Sequence, residues 1–185
     1  MLNLLWTKCR KSGSATAKSR ELEAPLENKK GEKKGGVLIN GVIWATCNIG
    51  KKGKFVSQPH DSGNLYTWEK AKRACPAGWR LPTVDELKKL LQAPNRWTNI
   101  NGVYGREFGT YPNTIFLPAA GFLDNRDGML EDAGAHGDYW SSTHDMENST
   151  QFCCAYFLKF NRDNDVDTGS WGIHRSGFSV RCVAE

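Results

Sequence analysis

Apolar positions in this chain come in short bursts, and turn residues interrupt them every few positions. In residues 37–46, Val37-Leu38-Ile39 and Val42-Ile43-Trp44 flank Asn40-Gly41. Asn-Gly between two β-branched runs predicts a tight hairpin, because both turn residues take positive φ. Asn101-Gly102 predicts a second hairpin before Gly105. The most apolar run, residues 114–122, reads as a core strand; Pro118 has no N–H for a ladder, which restricts it to an edge or a bulge. Residues 66–74 carry a short helical pattern that Pro76 stops. Thr83-Val84-Asp85-Glu86 is a capping box, with Thr83 at the N-cap and Glu86 at N3. The helix it opens runs to about Gln92, buries Leu87, Leu90 and Leu91, and ends at Pro94. Residues 51–64, 125–128 and 133–137 are loops and turns. The pattern as a whole predicts a turn-rich, strand-dominated domain.

The stretch from Asp138 to Cys182 departs from this regularity. Its ends, Asp138-Tyr139-Trp140-Ser141-Ser142-Thr143 and Ser176-Gly177-Phe178-Ser179-Val180-Arg181-Cys182, are ordinary strand sequence. Its middle holds Phe152-Cys153-Cys154, an Asp/Asn run and Trp171-Gly172-Ile173-His174. If residues 155–160 form a strand, Tyr156, Leu158 and Phe160 share one face and Ala155, Phe157 and Lys159 the other. Lys159 marks the second face as solvent, so Phe157 is expected to be exposed. Trp171, Ile173 and His174 are expected to be exposed in a Gly-flanked loop. Solvent-facing aromatics gathered in one region are a binding signature.

Charge removes one class of partner. The net charge of +5 arises in residues 1–36, which carry 9 Lys/Arg against 4 Glu; the rest holds 16 basic and 16 acidic side chains. A balanced domain predicts no nucleic-acid-binding face. Residues 1–36 are polar and rich in Lys, Ser, Glu and Gly, a composition that cannot offset the entropy of ordering. They read as a flexible basic tail, available to dock to a larger assembly, before a ligand-binding domain over residues 37–185. No apolar run approaches the length of a membrane span, so no membrane insertion is expected. Met1-Leu2-Asn3-Leu4-Leu5-Trp6 is too short for a signal core, and no export signal is expected.

Catalytic and metal patterns are weak. The six Cys (9, 47, 75, 153, 154 and 182) include no C-x-x-C, and none of the four His lies at zinc-ligand spacing. Cys47, Cys75 and Cys182 fall in strand-like sequence; they are candidates for buried thiols, or for a disulfide among them in an oxidising compartment. Asp163-Asn164-Asp165-Val166-Asp167-Thr168-Gly169 resembles a calcium loop, but Gly169 is seventh and His174 twelfth, where an EF-hand needs Gly sixth and Glu twelfth. It reads as a solvated acidic turn, with an oxygen-ligand calcium site of a different kind as the alternative. Cys153-Cys154 lacks a nearby cation or helix N-terminus to lower a thiol pKa. No catalytic residue, metal or cofactor is assigned.

Five segments carry a family resemblance: residues 40–50, Cys75-Pro76-Ala77-Gly78-Trp79-Arg80-Leu81-Pro82-Thr83, Phe116-Leu117-Pro118-Ala119-Ala120-Gly121, Tyr139-Trp140-Ser141-Ser142-Thr143 and Gly177-Phe178-Ser179-Val180-Arg181-Cys182-Val183. In this order they resemble the Fibrobacter succinogenes major paralogous domain, over about residues 37–185. The resemblance implies an α+β, C-type-lectin-like fold of antiparallel strands and hairpins with two short helices and long loops. It is distantly similar to the formylglycine-generating enzyme fold. Some members are variable proteins of diversity-generating retroelements, in which chosen codons near the C-terminus are rewritten. That likeness implies a fixed framework and variable, ligand-binding positions at Phe152, Cys153, Cys154, Phe157, Lys159, Trp171, Ile173, His174 and Ser176. The implied function is binding a protein or glycan receptor for attachment, on a virion such as a phage tail or on a cell surface. The alternatives are a non-diversified adhesin or carbohydrate-binding domain and an oxidase-like enzyme. The Glu-Pro-Asn or Gln-Pro-Asp loops of calcium-dependent lectins are absent, and so is a recognisable formylglycine-type cysteine site.

Overall fold

The computed structural model describes residues 35–145 and 154–185. The predicted Asn-Gly hairpins form as expected. β1 (Gly36–Ile39) and β2 (Val42–Ala45) are joined through Asn40 and Gly41 at φ 48° and 80°. β4 (Asn95–Ile100) and β5 (Val103–Thr110) are joined through Asn101 and Gly102 at φ 52° and 88°. Two helices are present among the described residues. α1 (Trp68–Ala71) is a single turn. α2 (Val84–Leu91) carries the predicted capping box: the Glu86 N–H donates to Thr83 Oγ1 at 3.2 Å, and the Thr83 N–H to Glu86 Oε2 at 2.8 Å. It buries Val84, Leu87 and Leu90, while Leu91 is half-buried.

The remaining strands are β3 (Trp79–Arg80), β6 (Asn113–Pro118), β7 (Phe122–Leu123), β8 (Leu130–Glu131), β9 (His136–His144), β10 (Cys154–Asn161), β11 (Val166–Asp167), β12 (Trp171–Ile173) and β13 (Val183–Ala184). They form sheets in the orders β1-β2-β13-β3, β11-β10-β12 with β9 also on β10, β4-β5-β6, and β7-β8. Pro118 closes β6, an outer strand of its sheet, where its missing N–H costs nothing. The C-terminal β13 pairs with both β2 and β3, so the last residues tie the first hairpin to the segment before α2. A Cys75–Cys182 disulfide adds a covalent tie across 107 residues of sequence, and Cys47 is disulfide-bonded as well.

Strand dominance follows from the short apolar bursts, but the expected α+β, C-type-lectin-like class is corrected. Among the described residues the protein is mostly β, with 45% strand and 8% helix, arranged as several antiparallel sheets. The physical reason is visible at Tyr66, where a helix was expected to start. Its N–H and C=O are both taken by Phe178, at 2.8 and 3.0 Å, so this residue pairs as a strand and only one helical turn follows.

Two hydrophobic clusters make the core, and β9 and β10 run between them. Tyr139, Leu158 and Phe160 face one cluster with Trp44, Leu90 and Phe108; Trp140, Ala155 and Phe157 face the other with Ile49, Trp68 and Phe178. Arg181 is buried beside them. Its guanidinium donates to Asn48 Oδ1, Ala45 O and Phe116 O at 2.9, 3.0 and 2.8 Å. Asn48 in turn donates to the Tyr139 hydroxyl, which donates to Pro118 O. Burial pulls the Arg181 guanidinium down to about 10 and pushes the Tyr139 hydroxyl up to about 12, so at neutral pH the pair remains cation and phenol. This network pins residues 177–182, which also pair with Tyr66, β7 and β9.

Candidate functional site

On the β9–β10 ladder, Lys159 lies opposite Asp138 and Phe157 opposite Trp140. Directly opposed residues in an antiparallel pair share a face, so these four side chains form one stripe. It runs from the second core cluster at Trp140 and Phe157 to an open cleft at Asp138 and Lys159. The floor is aromatic. Phe178 packs 4.2 Å from Trp140 and 4.6 Å from Phe157 between ring centroids, and the Trp140 indole N–H donates to Tyr66 O at 2.7 Å. β12 lies over this floor at Gly172, where a Cβ would overlap the rings of Phe178 and Trp140. A glycine here lets the strand approach closely and leaves Trp171 and Ile173 on the outside, 49% and 36% exposed.

The cleft is open to solvent, with a volume of about 780 Å³. Phe122, Phe157, Phe178, Trp171 and Ile173 supply its apolar walls; Asp132, His136, Asp138, Lys159, Asp167 and Ser176 are among its polar groups. Large apolar clefts with a few convergent polar groups are the usual form of a ligand site. Asp138 is 4% exposed, and its Oδ2 has no hydrogen-bond partner among the described residues. Burial pushes its carboxyl up to about 7, against the opposing pull of Lys159. Lys159 Nζ lies 3.1 Å from Asp165 Oδ2. Burial raises the Asp167 carboxyl, but hydrogen bonds from the Gly169 N–H and the Ser170 hydroxyl, both 2.7 Å, outweigh it and hold the group below its ordinary value. His136 Nδ1 is 3.8 Å from Asp132 Oδ2.

Five of the nine positions singled out from sequence line this cleft: Phe157, Lys159, Trp171, Ile173 and Ser176. The expectation that Phe157 faces solvent is corrected, since it is buried. The two-face division of β10 is right, but both faces are covered, so Lys159 marks the mouth of a cleft and Phe157 its wall. Residues 171–173 form a strand where a loop was expected. His174, expected to be exposed beside them, is half-buried and stacks on Trp68 at 4.2 Å, where burial lowers its pKa. It does not line the cleft, and neither does Cys154, which is buried opposite Ile173 in the ladder. Phe152 and Cys153 lie outside the described residues.

The acidic run after β10 is a closed turn: Asn161 Oδ1 accepts from the Asp163 and Asp165 N–H groups, and Arg106 donates to Asn164 Oδ1 and Asn161 O. Among the described residues, no three His, Cys, Asp or Glu are placed to hold a metal ion. Asp132, His136, Asp138 and Phe122 were not anticipated as site residues. One signal for Asp138 was present: it precedes Trp140 by two positions, which puts a carboxylate on an inward face.

The Fibrobacter succinogenes major domain matches residues 11–184 of the chain, beginning within the segment read as a tail. No curated protein matches the chain. No solved structure does either, so nothing supports the expected C-type-lectin resemblance. Among the described residues, no helix is long and apolar enough to cross a membrane.

Proposed function

We propose, from the premise that this chain belongs to the Fibrobacter succinogenes major domain family, that it is a ligand-binding protein whose recognition surface is the cleft between β10, β12 and residues 176–178. The observation that carries this reading is the convergence of Phe157, Lys159, Trp171, Ile173 and Ser176, from separate segments, on one cleft with a packed aromatic floor. Binding groups supported by a rigid scaffold lose little entropy when a ligand docks. The side chains divide into two kinds. Trp171 and Ile173 stand at the rim, where replacement costs the fold little, while Trp140, Gly172 and Phe178 form the floor. That division suits a diversified variable protein of a retroelement, with changing rim residues on a constant base. A receptor on another cell or host is the partner we propose, with display on a virion such as a phage tail or on a cell surface. The Cys75–Cys182 disulfide supports exposure to an oxidising environment.

Sequencing the same locus from independent isolates tests this. Substitutions should cluster at Lys159, Trp171 and Ile173 and spare Trp140, Gly172 and Phe178. Variation spread evenly along residues 37–185 would refute diversification. A second reading, an adhesin or carbohydrate-binding domain of fixed sequence, is favoured by the half-exposed Trp171 ring beside polar Asp167 and Ser170, a pairing suited to stacking on a sugar. Invariant rim residues, together with glycan binding lost in Trp171→Ala, would select it.

A further inference from the structure

Asp138 is the cleft residue whose burial is hardest to explain by the fold alone. A buried carboxylate is costly unless it is paired or hydrogen-bonded, and its Oδ2 has no partner among the described residues. The nearest cation on the facing strand, Lys159, is held by Asp165. The other charged groups around the space, Asp132 and Asp167, add negative charge, and His136 faces Asp132. Aromatic rings supply the walls, and ring faces attract cations as well as apolar stems. An anionic ligand would meet three carboxylates here.

We infer that this cleft takes an organic cation, an ammonium or guanidinium group on an apolar stem, with Asp138 as its counter-charge and the aromatic walls around the stem. The inference rests on the reading of the cleft as a ligand site and names the chemistry of what enters it. Asp138 must be ionised to receive a cation. Burial holds its carboxyl at about 7, so below that pH a bound cation must expel a proton and its affinity falls. Asp132, His136, Lys159 and Asp167 face the same space, and Asp138→Asn isolates the contribution of Asp138 from theirs.

The test is an NMR titration of the full chain with benzylammonium and with its neutral counterpart, benzyl alcohol, followed at the Trp171 indole and Gly172 amide signals. At pH 8 benzylammonium should bind about tenfold more tightly than benzyl alcohol, and Asp138→Asn should abolish that preference. Between pH 8 and pH 6 the wild-type affinity for benzylammonium should fall about tenfold, the effect of crossing the carboxyl's titration by one pH unit, while the variant stays flat. Equal binding of the two probes, or a preference that survives Asp138→Asn, would overturn the cation assignment and leave the ligand site standing. Failure of both probes to shift the cleft signals would overturn both readings. Comparison with the pentapeptide Gly-Gly-Lys-Gly-Gly separates two sources of the cation. Tighter peptide binding identifies a polypeptide side chain, and tighter benzylammonium binding a free amine. The probe comparison and the pH profile need no variant, so the inference is tested even if Asp138→Asn folds poorly.

Discussion

Asp138→Asn should change how stability depends on pH, independently of any ligand. In the folded protein burial raises the Asp138 carboxyl from 3.8 to about 7. Between these two values the folded state holds a proton that the unfolded chain has released. Stability then falls as pH rises, because the folded state binds more protons than the unfolded one. The favourable contribution of the protonated group is complete below about pH 4 and gone above about pH 7. One unit of pKa difference corresponds to about 1.4 kcal/mol, so the full effect is roughly 4 kcal/mol. The carboxyl borders a cleft, where partial hydration reduces this to about 2–4 kcal/mol. Asparagine keeps the shape of the side chain and does not titrate. Denaturant unfolding of wild type and Asp138→Asn at pH 4.5, 6 and 8 should show the variant gaining on wild type by about 2–4 kcal/mol across that range, with most of the gain below pH 7. Parallel stability curves would refute the claim that burial raises this carboxyl.

Two further outcomes follow from the packing. Trp140→Ala and Phe157→Ala should each cost about 3–5 kcal/mol in thermal or denaturant unfolding, because both rings are buried in the second cluster, whereas Trp171→Ala should stay within about 0.5 kcal/mol. A Phe157→Ala variant as stable as Trp171→Ala would show that β10 has an open face after all. Replacing Cys75 and Cys182 together by Ala should lower stability by about 3–5 kcal/mol, since the bridge closes a loop of 107 residues; an unchanged melting temperature under reducing conditions would contradict the bridge.

What could be read from the chain was local in range. The Asn40-Gly41 and Asn101-Gly102 hairpins and the Thr83–Glu86 capping box each depend on residues within a few positions of one another, and each is present. Part of the site was legible for the same reason. Parity along residues 155–160 assigned Phe157 and Lys159 to one face, and the glycine-flanked apolar residues marked Trp171 and Ile173. The errors arose where a distant segment supplied the deciding partner. Tyr66 was assigned to a helix, yet Phe178, more than a hundred positions later, claims its backbone. His174 was placed in solvent, yet Trp68 covers it.

By itself, then, the sequence determined the turns, the strand-rich character, the cap of α2 and the two-face division of β10, because each is settled by short-range backbone geometry and side-chain periodicity. Only the tertiary structure decided that both faces of β10 would be covered, that Asp138 would be buried with an oxygen unpartnered among the described residues, and that Arg181 would bridge Ala45, Asn48 and Phe116. Those outcomes depend on whether long-range packing covers a polar group or leaves it to water. A strand's alternation assigns residues to two sides without saying what lies on either. In this chain aromatic packing covers both, and Asp138 and Lys159, opposite each other on the ladder, stand where that packing opens into the cleft.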